Sequence, residues 1–361
     1  MRLAVAGGGT GGHIYPAVAI IEALQEQTTV DVLWLGVKGN PEEAAAVGRG
    51  WHFAPVPAAK VRGTGWRAPV GVAWSLLGGF TAARRLRSFG ADVVVATGGY
   101  ASVPGVVGAR LAGVPVLLFL PDVRPGLAVR FTRRLATRVA TTSERDRTAL
   151  GGSEVAVTGY PVRREFFTAT RDVARQQLGL DVRPVVLVFG ASQGAASFNR
   201  AVLRWGSELL PALQMVHVSV VRNFDAASVS ATAAGLSAEK GYHLYPYLEN
   251  LPEAMAAADL VVSRGGASVL GEMTAAGKPS VLVPYPHAGA HQKQNASFLV
   301  DEGAAVLVDD SEIEGCFGPL VLELLANPAA LARMAERARA LARPQAASDL
   351  AALVCDLAGE R

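Results

Sequence analysis

Among the residues that can move a proton near neutral pH, His13 has the setting best suited to chemistry. It closes the run Gly7-Gly8-Gly9-Thr10-Gly11-Gly12, which follows an apolar segment, Leu3–Ala6, and precedes a helical stretch from Pro16. Glycine carries no Cβ and tolerates positive φ, so such a turn is tight and its amides can approach a ligand. A helix behind it adds unpaired N–H groups and a partial positive charge, which favour a phosphate or another anion. An imidazole on that turn can act as general base towards a hydroxyl, or it can merely orient the loop or touch a phosphate. Gly7, Gly9 and Gly12 also satisfy G-x-G-x-x-G, but a dinucleotide site needs an acidic residue at the end of the second strand, roughly 20 residues on. The second strand expected here, Val32–Leu35, runs into Gly36-Val37-Lys38 with no carboxylate. A nicotinamide cofactor is therefore disfavoured. A glycine turn that only packs a helix on a strand is the plainer alternative.

A second set of polar residues lies beyond residue 160. Ser192 and Gln193 sit in the glycine turn of GASQGA (190–195), ahead of a helix, where a hydroxyl and backbone amides can hold a diphosphate. Glu272 follows Arg264 by eight residues, in the helix after the Gly265-Gly266 turn, and can accept hydrogen bonds from ribose hydroxyls. No D-x-D occurs in a plausible turn, so no metal ion is expected as the charge stabiliser.

The elements that must carry these residues alternate. Short β-rich apolar runs near 3–6, 32–35, 53–56, 93–96, 116–119, 138–141 and 155–157, then 185–189, 215–220, 242–245, 260–262, 280–283 and 305–308, are separated by helical stretches. That alternation predicts parallel α/β sheets. The halves repeat weakly: DVVVATGG (92–99) returns as DLVVSRGG (259–266), AGVP (112–115) as AGKP (276–279), and VAGGGTGG as VFGASQGA (188–195). Two nucleotide-type domains, with ligands beyond the carboxyl ends of the strands, explain the repeat. The expected division is 1–160, 161–343 and a final helix, 344–361, set off by Pro344 and redirected onto the first domain.

Composition narrows the partners. The chain has 361 residues, half of them hydrophobic, enough for two domains with large cores. Cys316 and Cys355 have neither metal-ligand spacing nor a disulfide framework. Met1 leads straight into a strand, so no signal peptide is expected, and no uncharged apolar run reaches the ~20 residues of a membrane span. Residues 1–160 hold 17 Lys/Arg against 10 Asp/Glu, leaving +7; the remaining 17 against 21 leave −4. A basic first half suits an anionic partner: lipid headgroups, a pyrophosphate or nucleic acid. Within it, Trp66, Val70, Trp74, Leu77 and Phe80 can share a helical face followed by Arg84, Arg85 and Arg87. This pattern fits either shallow insertion at an anionic bilayer or a core helix with a solvated basic end.

GGTGGH (8–13), TGGYAS-PG (97–105), TGYPVR (158–163), GASQGA (190–195), RGGAS-LGEM-AAGKP (264–279) and HQ--NA (291–296) occur in one order. Together they resemble the MurG family, the UDP-N-acetylglucosamine transferases that act on a lipid-linked muramyl-pentapeptide, over nearly the whole chain. The resemblance implies a GT-B architecture: two Rossmann-like, doubly wound parallel-sheet domains facing across a cleft, with donor mainly on the second and acceptor on the first. It implies donor contacts from Arg163, Ser192, Gln193, Arg264, Glu272, His291, Gln292 and Asn295, with Tyr247 and Leu248 around the uracil. It also implies an acceptor site at Thr10, Gly11, Gly12, Gly98, Gly99, Tyr100 and Ser102, with His13 as base. UDP-GlcNAc and a polyprenyl-diphosphate sugar would be the substrates. No cofactor, metal or nucleic acid is implied, and the expected location is the cytoplasmic face of the membrane, held peripherally through Trp66, Trp74, Leu77, Phe80, Arg84 and Arg85.

Two positions depart from the family pattern. Phe119-Leu120-Pro121-Asp122 stands where the family usually has His-Glu-Gln-Asn, and Tyr160 where it usually has Asn. Both lie on the acceptor side, and Asp122 offers a substitute acceptor or base. A transferase with another lipid or glycan acceptor, a UDP-sugar 2-epimerase and a non-catalytic nucleotide-sugar-binding protein are the alternatives.

Overall fold

The computed structural model describes residues 1–59, 68–123, 131–149, 155–190, 196–286 and 290–359. Trp66, Ser192 and Gln193 lie outside them. The chain forms two compact units, Met1–Val162 together with Arg343–Arg361, and Arg163–Ala342.

The first unit is built on a parallel sheet of β1 (Arg2–Gly7), β2 (Asp31–Gly36), β3 (His52–Pro55), β4 (Val93–Gly98), β5 (Val116–Leu120), β6 (Arg138–Thr141) and β7 (Val155–Val157). Its strand order is β3-β2-β1-β4-β5-β6-β7. The second unit carries β8 (Val185–Phe189), β9 (Gln214–Val218), β10 (Tyr242–Tyr245), β11 (Leu260–Ser263), β12 (Ser280–Leu282) and β13 (Ala305–Leu307), in the order β10-β9-β8-β11-β12-β13. All thirteen strands fall within two residues of the apolar runs that predict them. These runs lack polar–apolar alternation because helices cover both faces of each sheet; Leu3–Ala6, Val93–Ala96 and Val185–Val188 are all buried. In both sheets the order reverses between the first and fourth strands of the unit, β1 beside β4 and β8 beside β11. Doubly wound sheets bind their ligands at that switch point, beyond the carboxyl ends of the strands.

Two helices of the first unit bear on function. The Ala68–Phe89 helix lies against the Ser102–Ala112 helix through small residues. A Cβ at Gly79 would stand 2.5 Å from Val107 Cγ1, and one at Gly108 2.5 Å from Ala82 Cβ. Glycine is therefore what lets the two backbones approach. Among the described side chains, Ser75, Gly78, Gly79, Ala82, Ala83 and Leu86 turn inward, while Trp74, Leu77 and Phe80 are 52, 57 and 67% exposed. Arg84 and Arg85 are exposed one turn further on. Trp74, Leu77 and Phe80 therefore do not belong to the face this helix turns to the core, which is built mainly of small residues; Val70's side chain lies outside the described residues. The second helix, Ala346–Gly359, packs on the Gly11–Gln25 helix and on β4 and β5, with Leu350, Ala351, Val354 and Leu357 fully buried.

Candidate active site

The switch point of the first sheet is a pair of turns that touch. Gly7–Thr10 follows β1 and Gly98–Ala101 follows β4; Gly9, Gly98 and Gly99 all have positive φ. A Cβ at Gly99 would lie 2.6 Å from the Gly8 carbonyl oxygen, so only glycine permits this contact. Thr10 is extended and its carbonyl accepts from the amides of His13 and Ile14, which puts His13 in the first turn of the Gly11–Gln25 helix. The His13 side chain meets the Thr97 carbonyl through Nδ1 at 2.9 Å, and Thr97 Oγ1 donates to the His13 carbonyl at 2.5 Å. A carbonyl can only accept, so Nδ1 carries the proton and Nε2 keeps the lone pair of the neutral ring. That is the tautomer a general base needs.

The backbone around His13 is held from several elements. Trp34 Nε1 donates to the Gly7 carbonyl at 2.9 Å. Pro16 has no N–H to give the carbonyl four residues back; the Tyr160 hydroxyl donates to that Gly12 carbonyl at 3.2 Å. The Tyr160 ring in turn meets Phe119 edge to face, with centroids 6.2 Å apart. The two departures noted in the sequence are therefore partners, buried together beneath the turn. Asp122 is half-buried just past β5. Ser102 is buried and donates to the Gly99 carbonyl at 2.8 Å, shaping the turn from below. Tyr100 Oη accepts from Asn40 Nδ2 at 2.8 Å.

Sequence reasoning missed one residue at this site, Glu42. The carboxylate absent after the second strand arrives six residues beyond Gly36, at the start of the Pro41–Val47 helix, and reaches back to the glycine turn. It is fully buried and accepts from Gly9 N at 2.9 Å, Val37 N at 3.2 Å and Asn40 Nδ2 at 3.2 Å. No local sequence signal marks it; in the fold, a Cβ at Gly8 or Gly36 would lie 2.3 or 2.7 Å from Glu42 atoms.

In the second unit the switch-point cluster gathers three of the expected residues, Arg264, Gln292 and Asn295. Arg264, at the end of β11, is 4% exposed and lies between the rings of Phe198 and Tyr285, 4.5 and 5.3 Å from their centroids. Its guanidinium donates to Asp310 Oδ1 at 2.5 Å, Ser197 Oγ at 3.0 Å and the Val283 carbonyl at 3.1 Å. Ser197 Oγ donates in turn to Asp310 Oδ1 at 2.6 Å. Burial alone would raise the Asp310 carboxyl, but the hydrogen bonds from Ser197 and Arg264 and the guanidinium charge outweigh it and hold it low. One arginine thereby ties the ends of β11, β12 and β13 to the start of the Ala196–Leu209 helix. Asn295, fully buried, donates to the Gly265 carbonyl at 3.2 Å, and Gln292 Oε1 accepts from Tyr285 N at 2.8 Å. Helix Ala290–Asp301 abuts the turn so closely that a Cβ at Gly265 would lie 2.3 Å from the Gln292 carbonyl oxygen.

Glu272 lies in the Val269–Ala275 helix and is almost wholly buried. Burial raises its carboxyl to about 7, against the opposing pull of a hydrogen bond from Ser268 and the charge of Arg163. Arg163 is half-buried with its guanidinium 5.5 Å from the Phe166 ring centroid, and His291 is half-buried as well. Tyr247, 55% exposed, and Leu248 follow β10, the sheet's edge strand.

Residues 3–141 match the glycosyltransferase family 28 N-terminal domain and residues 185–350 the family 28 C-terminal domain. The chain is 39% identical, over 96% of both proteins, to the UDP-N-acetylglucosamine–N-acetylmuramyl-(pentapeptide) pyrophosphoryl-undecaprenol N-acetylglucosamine transferase of Moorella thermoacetica. It is 38% identical to the transferase of the same name from Roseiflexus sp., over 98% of this chain and 94% of the relative. Among solved structures, Acinetobacter baumannii MurG superposes with a TM-score of 0.72 at 27% identity, covering 98% of this chain and 99% of that one. The UDP-GlcNAc 2-epimerase of Neisseria meningitidis, 16% identical over 99% of this chain and all of that one, shares the fold with a TM-score of 0.70.

Proposed function

Because the chain belongs to glycosyltransferase family 28 and, within it, to the MurG transferases, we propose that it moves N-acetylglucosamine from UDP-N-acetylglucosamine to lipid-linked N-acetylmuramyl-pentapeptide, with inversion, in peptidoglycan synthesis. The observation that carries the chemistry is the 2.9 Å contact of His13 Nδ1 with the Thr97 carbonyl, on a glycine turn at a switch point, which leaves Nε2 as the nitrogen able to take a proton. The acceptor's sugar hydroxyl gives its proton to Nε2 as its oxygen attacks the anomeric carbon. The bond from that carbon to the diphosphate oxygen breaks, and UDP leaves with the electron pair. Amides of Thr10, Gly11, Gly12 and the Gly98–Ser102 turn, with Tyr100, hold the acceptor's diphosphate.

On the donor side, Arg163, Ser192 and Gln193 meet the UDP diphosphate and Glu272 the ribose hydroxyls. His291 and Gln292 read the sugar, while Tyr247 and Leu248 flank the uracil. Arg264, paired with Asp310, and Asn295, which donates to the Gly265 carbonyl, hold the donor side of this unit in shape. The helix that starts at Ala196 and the Arg163 guanidinium stabilise the leaving diphosphate without a resident metal. The exposed face of Trp74, Leu77 and Phe80, with Arg84 and Arg85 beside it, seats the protein on an anionic bilayer surface where the lipid acceptor resides. Among the described residues no single helix is long and apolar enough to cross a membrane.

The test is direct. The chain is incubated with UDP-GlcNAc and lipid-linked muramyl-pentapeptide, and UDP release and the glycosylated lipid are followed together. Stoichiometric appearance of both is expected. UDP release with other lipids only points to a divergent acceptor, and donor binding without turnover to a non-catalytic protein; either result overturns the reading.

A further inference from the structure

Glu42 poses a question that the reaction as described does not use. A carboxylate wholly removed from water is costly unless its lone pairs are met by donors. Two of the three donors Glu42 has found are backbone amides, those of Gly9 and Val37. The third is Asn40 Nδ2, which also donates to Tyr100 Oη. The network therefore spans both turns of the acceptor switch point, reaching Gly9 behind β1 and Tyr100 behind β4. Gly8 and Gly36 are kept free of side chains by the Glu42 carboxyl and stem, which fill the space where each Cβ would go. In a dinucleotide site the comparable acid faces outward to a ribose; here it is spent inward, on the turn itself.

We propose that Glu42 is a positioning residue for glycosyl transfer. Its carboxylate fixes the Gly8–Gly9 turn and, through Asn40, the Tyr100 turn, so that His13 Nε2 and the amides facing the acceptor diphosphate keep one geometry. This rests on the functional reading above. It assigns the buried charge to acceptor-side geometry alone, since donor contacts belong to the other unit.

The test uses the full-length chain with UDP-GlcNAc and lipid-linked muramyl-pentapeptide. Glu42→Gln preserves shape but turns an NH2 group towards donors that need an acceptor, so the amide cannot replace the carboxylate. It is expected to lower kcat/KM for the acceptor roughly 10- to 100-fold, the scale of a small misplacement at a reacting centre. The Kd for UDP-GlcNAc, read by calorimetry, is expected to stay within about twofold, as for a loss confined to one substrate. Asn40→Ala cuts the link to Tyr100 while keeping the carboxylate, and is expected to raise the acceptor KM with a smaller effect on kcat. A folded Glu42→Gln chain with wild-type acceptor kinetics, or one in which donor and acceptor parameters fall together, overturns the proposal. Should Glu42→Gln fail to fold, an unchanged acceptor KM in Asn40→Ala overturns it equally. A wild-type chain inactive with this substrate pair instead overturns the functional reading, and the positioning role falls with it.

Discussion

A histidine tied through Nδ1 to a carbonyl can offer only Nε2 to a substrate, and this fixes what its removal should do. General-base catalysis contributes roughly 10²- to 10⁴-fold. His13→Ala is expected to lower turnover by that much while leaving UDP-GlcNAc affinity intact, as read by steady-state kinetics beside calorimetry; equal losses in both would undo the assignment. Glu272 should behave in the opposite way. With its carboxyl raised by burial from the ordinary 4.5 to about 7, it is half-protonated near neutrality in the free protein. Ribose hydroxyls donating to the ionised form favour it, so donor affinity should rise from pH 6 to pH 8, and this slope should vanish in Glu272→Gln. The linkage sign for stability is also determined. Between pH 4.5 and 7 the unfolded chain loses this proton first, so stability falls as pH rises through that window and stays lower above it. Glu272→Gln should therefore be more stable than wild type at pH 8, by up to roughly 3 kcal/mol from a shift of this size, with little difference at pH 4.5. Thermal unfolding at the two pH values checks it. The placement of His13 and Glu272, each just past a strand and a glycine turn, was legible in the sequence because local reading captures that context. The placement of Glu42 was not, since it depends on a helix folding back onto a turn formed more than thirty residues earlier. Tyr160 was legible only as an oddity: that its hydroxyl meets the carbonyl orphaned by Pro16 is a tertiary fact.

At the scale of elements, the strands could be read because buried parallel strands are continuous apolar runs bounded by glycine and proline. The Ala68–Phe89 helix could not. Its apolar residues fit a core face and a membrane face equally well, and the choice rests on the Ser102–Ala112 helix, whose close approach selects the glycine and alanine side as the inner one. This yields a prediction at the element's own scale. Replacing Trp74, Leu77 and Phe80 together by serine removes side chains that are more than half exposed, so the melting temperature should change little. Binding to vesicles containing anionic phospholipid should weaken strongly, since each large apolar side chain adds about 1.5–3 kcal/mol when fully removed from water. Sedimentation with such vesicles measures it, and unchanged binding would remove the membrane role from this helix. Arg84→Glu with Arg85→Glu should weaken the same binding in a salt-dependent manner, because it reverses the charge facing the headgroups.

At the scale of the molecule, the chain order and the spatial units disagree. The strand-and-helix run of the second unit ends at Ala342, and the last helix returns to the first unit. The two crossing segments touch: a Cβ at Gly159, whose φ is +91°, would lie 2.5 Å from Arg343 Cβ. The returning helix packs against the Gly11–Gln25 helix, which bears His13 in its first turn, and buries Leu350, Val354 and Leu357 completely. Exposing those three side chains would cost roughly 6 kcal/mol in apolar burial, comparable to the whole stability of a typical domain. Truncation after Ala342 should therefore unfold or severely weaken the first unit although no residue of that unit's sheet is touched. The second unit, complete in Arg163–Ala342, should still bind UDP-GlcNAc. Calorimetric unfolding should show loss or a large downward shift of one transition, isothermal titration should show retained donor binding, and glycosyl transfer should be abolished. A truncated chain that keeps both transitions at wild-type temperatures would mean that the terminal helix is a dispensable cover. One that loses donor binding as well would mean that the second unit depends on the first for its own stability.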